Sequence, residues 1–445
     1  MPNDGVLYYR WLFNEPRVLL TNPKAIGEVL VQRNYEFVKP ERIRNGLGRL
    51  LGVGILIAEG DEHKRQRKLL MPAFSFRHIK DLYPIFWEKA REMTDRMTET
   101  MRSSPDGSSV IEIREWSSRA TLDIIGLAGC GQDFDSLANP DNELNQTYKS
   151  IFSSNRGAQL VQLFLGMLPH WLAVALPLKR NDEIGKAIGT IKSVARDLIA
   201  DKRAKTLAGK ADQVDILSVA MQSGGFSDDD LVNQLMTFLA AGHETTASAM
   251  SWAVYLLCKH PDVQARLRAE VRAELDINGT INAAKIDKLP YLNAVLNETM
   301  RLFPPVPLTL REAAHDTTIQ GAFIPAGTTV VICPWAINTA TALWGADART
   351  FDPERWLAPG KSNTGGAESN YANTTFLHGP RSCIGRDFAK AEFACLVASL
   401  VGRFEVGWED GVEWELKIQG GITARPKGGL RVRLREVEGG EKGEA

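Results

Sequence analysis

The chain has 445 residues but only five cysteines, Cys130, Cys258, Cys333, Cys383 and Cys395, widely scattered and odd in number. That argues against a disulfide framework and for a reducing compartment. No C-x-x-C or H-E-x-x-H pattern offers a zinc site. Charge of one sign is also lacking: 53 Lys and Arg face 54 Asp and Glu, a formal net charge of -1, so nothing global favours nucleic acid or an acidic polymer. Long apolar runs are missing as well. Residues 1–22 are broken by Asp4, Arg10, Glu15, Pro16 and Arg17, which excludes a signal peptide or a membrane span there. The most apolar stretch, 160–178, is interrupted by Gln162, Pro169, His170 and Pro177, and reads as a core or interfacial segment. No repeat of solenoid period occurs.

What is present is an ordinary globular balance, 44% hydrophobic and 24% charged, enough for a large core. Residues 6–13 and 17–21 are strand-like, and Asn14-Glu15-Pro16 between them reads as a hairpin turn. A helix is predicted from Pro23. From Asp81 onward most of the chain has helical periodicity, with breaks at 105–109, 131–140, 224–227 and 277–281. Strand signals return at 328–333, 416–418 and 430–434. The expected fold class is mainly α with small β-sheets, and the charged, Gly-rich tail 436–445 predicts a frayed end.

One predicted helix stands out, from the N-cap Ser227 and its three following aspartates to Cys258, just before Lys259-His260-Pro261. Acid at the start and base at the end suit the helix dipole. Its centre, Ala241-Gly242-His243-Glu244-Thr245-Thr246, places a glycine and two β-branched threonines where strong helix formers belong. A threonine hydroxyl bonding back to the carbonyl four residues earlier would loosen the helix and open a polar notch there.

Near the C-terminus, residues 376–385 read F-x-x-G-x-R-x-C-x-G. An anionic thiolate at Cys383 needs compensation. Gly379 and Gly385 allow a tight turn with N–H groups aimed at the sulfur, and the following helix favours negative charge at its N-terminus. Arg381 has the planar fork that suits a carboxylate. A buried structural cysteine is the alternative.

This pattern, Phe376, Gly379, Arg381, Cys383 and Gly385 together, resembles that of the haem-thiolate monooxygenases, the cytochromes P450. The central helix carries the family's A-G-x-[D/E]-T-T. The resemblance implies a single domain over 1–445 with haem b between the long helix and the cysteine-loop helix, held by Cys383 as the iron ligand. It implies that Ala241 and Gly242 leave room for oxygen, and that Glu244 and Thr245 are the acid and alcohol pair supplying protons to O2. An apolar pocket supplies none without such a relay. His243 reads as a packing or surface residue, since Ala241 and Thr245 define another face.

Glu298 and Arg301, spaced i, i+3, can meet on one helix face, where an ordinary ion pair is the default. With Arg355 in Pro353-Glu354-Arg355-Trp356 they resemble the family's structural triad, which fixes the loop before the cysteine. Where the family commonly has W-x-x-x-R, this chain has His63 and Arg67, candidates for a haem propionate. Lys64, Arg65 and Lys68 then either form a basic face for an acidic electron-transfer protein or are simply solvated. Ile55, Leu56, Phe238, Val306, Leu308 and Ile422 resemble substrate-recognition positions, though each could equally be core; an apolar set suggests an apolar substrate.

The implied activity is insertion of one oxygen atom from O2 into a small apolar organic molecule, of the kind found in secondary metabolism. NADPH acts only indirectly, through a separate cytochrome P450 reductase. A monomer is expected, in the cytosol or at the cytosolic face of the endoplasmic reticulum if an anchor precedes this sequence or 160–178 makes a peripheral membrane contact. Fungal relatives carry such an anchor, and the motif wording is fungal in character. Rival readings are a peroxide-rearranging or nitric-oxide-reducing relative, against which the intact Glu244 and Thr245 pair speaks, and a non-catalytic haem sensor.

Overall fold

The computed structural model describes residues 4–103, 109–152, 179–208 and 215–437. The stretch 160–178 and most of the tail lie outside them. The described chain is mostly helical, as the periodicity predicts. Its helices are α1 (Pro23–Gly27), α2 (Glu41–Leu51), α3 (Gly60–Leu70), α4 (Phe76–Arg102), α5 (Ile113–Cys130), α6 (Glu143–Phe152), α7 (Lys179–Leu207), α8 (Ile216–Gln222), α9 (Asp228–Lys259), α10 (Pro261–Glu274), α11 (Ala283–Ile286), α12 (Pro290–Leu302), α13 (Pro334–Asn338), α14 (Thr341–Trp344) and α15 (Arg386–Arg403).

The strands form small sheets at the periphery of this helical body. β1 (Val6–Arg10) and β2 (Pro16–Leu20) pair antiparallel, from Val6 opposite Leu20 to Arg10 opposite Pro16. β1 ends three residues short of the predicted strand: Phe13 and Asn14 take left-handed φ values of 57° and 63°, so 11–15 form a wider turn that leaves Trp11 and Phe13 exposed. With β3 (Phe37–Val38), β5 (Thr309–Ala313) and β8 (Thr329–Ile332) they make a sheet of order β1-β2-β8-β5-β3, in which β2 and β8 run parallel. A second sheet joins β4 (Ser109–Glu112), β12 (Arg431–Glu436) and β9 (Phe404–Trp408). β6 (Thr317–Ile319) pairs with β7 (Ala322–Ile324), and β10 (Ile418–Gln419) with β11 (Arg425–Pro426). The strand expected at 416–418 thus shrinks to a two-residue pairing, because its side chains are largely exposed and bury nothing.

α9 crosses the main core and would span about 48 Å at 1.5 Å per residue. Ser227 accepts from the Asp230 N–H while the Asp230 carboxylate takes the Ser227 N–H, a complete capping box. The Thr245 hydroxyl donates to the Ala241 carbonyl at 2.8 Å, yet the helix continues without a break; the bond is absorbed, not expressed as a kink. Close packing of α9 on α5 explains Gly242: a Cβ there would lie 2.9 Å from the Ile125 side chain. Further along, the fully buried Trp252 stacks on Phe303 with ring centroids 4.4 Å apart, and its indole N–H donates to the Ala424 carbonyl at 2.9 Å.

That pairing locks α9 to the segment after α12. Trp252→Ala should cost about 3–5 kcal/mol of stability, while Trp252→Phe keeps a ring on Phe303 and should cost clearly less. Denaturant midpoints of the two variants check this; equal losses would contradict it.

Candidate active site

The cysteine loop is held at every turn. The Phe376 carbonyl accepts the Cys383 N–H at 2.9 Å, and Arg67 on α3 donates to the Ser382 carbonyl at 2.7 Å. Gly379 has φ 76°, and a Cβ on it would sit 2.2 Å from the Leu30 carbonyl oxygen, so no other residue fits. Gly385 differs from the expectation: its φ is -87° and a Cβ would meet only Phe74 at 3.8 Å, so the left-handed positions of the loop are Leu377 and Gly379. Cys383 presents exposed surface although it lies deep in the chain, which means that its sulfur faces an internal gap. Burial pushes its thiol up; the Gly385 N–H, Arg67 and Arg386 act in the opposite direction but do not outweigh it. A metal ion at the sulfur removes that proton outright.

Behind the loop stands a buried polar scaffold. The Glu298 carboxylate accepts from Arg301 Nε and Nη2, both at 2.7 Å, from Arg355 Nε at 2.9 Å, from the Trp356 indole at 3.0 Å and from the Asp352 N–H at 3.1 Å. Arg301, wholly buried, also donates to the carbonyls of Asn338 and Ala348 at 2.7 and 2.6 Å. Asn338 in turn accepts the Thr374 N–H and donates to the Thr375 hydroxyl, each at 2.8 Å. Phe376, the next residue, carries the carbonyl that fixes Cys383. A continuous hydrogen-bonded path therefore joins Glu298 to the cysteine.

On one side of the loop lies a group of buried cations. Arg381 donates to the carbonyls of Asn34 and Phe37 and pairs with Glu59. Arg311 is 2% exposed and donates to the Leu310 carbonyl at 2.8 Å. The Nε atoms of both arginines are buried without a partner. Burial and the neighbouring Arg381 push Arg311 down to about 10; burial and Arg311 push Lys39 down to about 7. His63 is buried, meets the Tyr35 hydroxyl at 3.1 Å through Nδ1, and is pushed down to about 4 by burial with Lys39 and Arg67 nearby. Among the described residues, Glu59 is the carboxylate that acts on Lys39, His63, Arg311 and Arg381 alike. Arg67 spends its donors on Ser382 instead.

On α9, between Leu231 and Cys258, only Asn233, Ala241, Gly242 and Thr245 escape full burial. Ala241 and Thr245, four apart, share one face. Phe238, one turn earlier, meets Phe74 edge-on at 5.6 Å, and Phe74 is also the neighbour of Gly385, which sets this part of α9 beside the cysteine loop. Glu244 turns away from that face. Its buried carboxylate takes two bonds from Arg114, at 3.0 and 2.9 Å, one from the Thr423 hydroxyl at 3.1 Å and a longer one from Arg425 at 3.4 Å. His243 is buried, packs on Tyr148 and bonds the Leu239 carbonyl through Nδ1 at 2.6 Å. On α15, the wholly buried Glu392 lies by Thr246, and burial raises its carboxyl well above the usual carboxylate range.

The remaining candidates divide. Ile55 and Phe238 belong to the main core, Val306 is half-buried, and Leu56, Leu308 and Ile422 are exposed. Lys64 pairs with Asp61, and Arg65 with Glu62 and Asp230, so much of the positive charge of α3 is compensated locally; Lys68 is exposed. Arg311, Lys39 and Arg114 carry no motif and were missed in the sequence; Glu244, the partner of Arg114, lies 130 residues further along the chain.

A sulfur facing an internal gap, a helix face of small side chains beside its loop, and crowded buried cations with orphaned donors together fit a flat, iron-bearing, dianionic cofactor. Cys383 would hold the iron of haem, and Arg311, Arg381, Lys39 and His63 its carboxylates. The fold and site thus define a haem-thiolate protein. Residues 4–431 match the cytochrome P450 family, to which the chain belongs. Among its relatives, cytochrome P450 monooxygenase sphH of Aspergillus fumigatus is 52% identical over 450 residues, covering 99% of this chain and 82% of that one. Cytochrome P450 monooxygenase FUM15 of Gibberella moniliformis is 44% identical over 483 residues, covering 96% and 81%.

Two outcomes follow from the geometry. Glu298→Gln leaves buried arginines short of their counter-charge and should cost about 3–5 kcal/mol, read as a lower yield of haem-loaded protein. Arg311→Met should release haem to a scavenging protein roughly ten- to hundredfold faster, the equivalent of one charged hydrogen bond, while exposed Arg386→Met should not.

Proposed function

We propose that this chain is a haem-thiolate monooxygenase that places one atom of O2 into a small apolar organic substrate, in an oxidation of secondary metabolism. The observation that carries the reading is the Cys383 sulfur, open to an internal gap in a loop that Gly379, Arg67 and the Glu298 scaffold hold in place. When bound, haem supplies the iron at which O2 is reduced, and the anionic sulfur pushes electron density toward that iron. The chain's own residues do the rest.

Thr245 stands on the open face of α9, its hydroxyl donating to the Ala241 carbonyl and its oxygen left able to accept and pass on a proton. Glu244, one residue earlier, is the acid that recharges it. Ala241 keeps that face uncrowded, whereas the absence of a side chain at Gly242 serves the contact with α5. Each turnover consumes two electrons and two protons and releases the second oxygen atom as water, and the electrons come from NADPH through a separate reductase. Exposed apolar Leu56, Leu308 and Ile422 suit an apolar substrate. No described helix is long and apolar enough to cross a membrane.

With reductase, NADPH and a substrate found by its shift of the haem absorption, isotopically labelled O2 should deliver one labelled atom to product. Thr245→Ala should keep haem yet lower product per NADPH by at least about tenfold, the scale of lost acid catalysis, with hydrogen peroxide appearing instead. Unchanged coupling would remove Thr245 from the relay.

A further inference from the structure

Two segments carry apolar side chains read as a substrate wall: the one after α12, with Val306 and Leu308, and the loop 420–424 between β10 and β11, with Ile422. Ile422 is 48% exposed and follows Gly420 and Gly421, and Leu308 is 49% exposed. Side chains that stand this far out have to be fixed from behind, and a row on α9 does so. Glu244 accepts from the Thr423 hydroxyl at 3.1 Å and from Arg425 at 3.4 Å. One turn on, the Ser248 hydroxyl donates to the Ala424 carbonyl at 2.6 Å; a further turn on, the Trp252 indole N–H donates to the same oxygen at 2.9 Å. Both donors are wholly buried. The Ala424 N–H donates to the Pro305 carbonyl at 2.9 Å, and the Trp252 ring stacks on Phe303, so the two segments are joined to each other and to one helix at a single place.

That place lies in line with the open face of α9. Residues seven apart on a helix differ in direction by only about 20°, so Trp252 stands two turns beyond Thr245 on nearly the same face, roughly 10 Å along at 1.5 Å per residue. The row therefore starts at Glu244, off the open face, and ends on it. We infer that Ser248 and Trp252 are positioning residues for the substrate: acting through the Ala424 carbonyl, they set where Ile422 stands relative to the Thr245 face, and with it which apolar molecules fit and which of their carbons is presented. The inference rests on the reading of these two segments as the wall beside haem. Glu244 adds a third hold through Thr423, so the same carboxylate also braces the loop.

Ser248→Ala and Trp252→Phe each remove one donor to Ala424 with little change of packing, and together they remove both. Imidazole and phenylimidazole, titrated on the haem-loaded protein by the shift of the haem absorption, separate the wall from the haem. Imidazole is too small to reach the wall, whereas phenylimidazole adds an apolar ring that lies against it. Ser248→Ala should weaken phenylimidazole roughly three- to tenfold, the scale of one hydrogen bond, and the double variant more, with imidazole affinity changed by less than about twofold. Ser251→Ala is the control: it deletes an equally buried hydroxyl, bonded within α9 to the Ala247 carbonyl, and should move neither affinity. If the double variant does not load haem, Ser248→Ala alone decides. An unchanged ratio of the two affinities in Ser248→Ala, an equal fall for both ligands, or the same change in Ser251→Ala overturns the inference. Imidazole that gives no shift with the unsubstituted protein refutes the haem site itself and the inference with it, a failure distinct from that of the wall.

Discussion

The bidentate pair of Arg301 and Glu298 is the interaction on which the rest of this site depends. Both side chains are fully buried, and two charges in such a place are tolerable only when every lone pair and proton is used. Here they are: Glu298 accepts five hydrogen bonds, and the guanidinium not facing Glu298 is spent on backbone carbonyls of 338–350. Because Asn338 passes the constraint to Thr374 and Thr375, the loop that presents Cys383 is positioned by a polar network and not by apolar packing alone. Such a network is directional, which is what a metal ligand requires.

The cation group beside the loop shows the reverse balance. Lys39, His63, Arg311 and Arg381 are drawn toward their uncharged forms first by burial and, for Lys39, His63 and Arg311, by neighbouring cations as well, while Glu59 pulls all four the other way. An incoming dianion would relieve that crowding. Burial pushes the Cys383 thiol up, and a metal ion bound at its sulfur would favour the thiolate. Glu244 belongs to a third environment, a buried carboxylate with more than enough cations, held by Arg114, Arg425 and the Thr423 hydroxyl.

Much of this was legible in the sequence wherever the information is local. Ser227 and its aspartates declare the start of α9, Glu298 and Arg301 share a turn, and the motif at 376–385 marks the cysteine loop. What was not legible depends on partners distant along the chain. Nothing in Arg114 announces Glu244, 130 residues later, and Arg311 sits in a strand that reads as neutral until it meets β8 and β3. Gly242 illustrates a subtler limit: the sequence motif relates its smallness to oxygen, and its close approach to Ile125 of α5 is visible only in the fold. The strands 309–313 and 404–408 escaped notice for the same reason, since each is specified by its neighbours in the sheet.

The central claim is that Cys383 is the thiolate ligand of a haem iron. The visible spectrum of the reduced, CO-bound protein tests it most directly, compared between the unchanged chain and Cys383→Ser. The thiolate-type CO band is expected in the first and its loss in the second. Survival of that band after the substitution would contradict it.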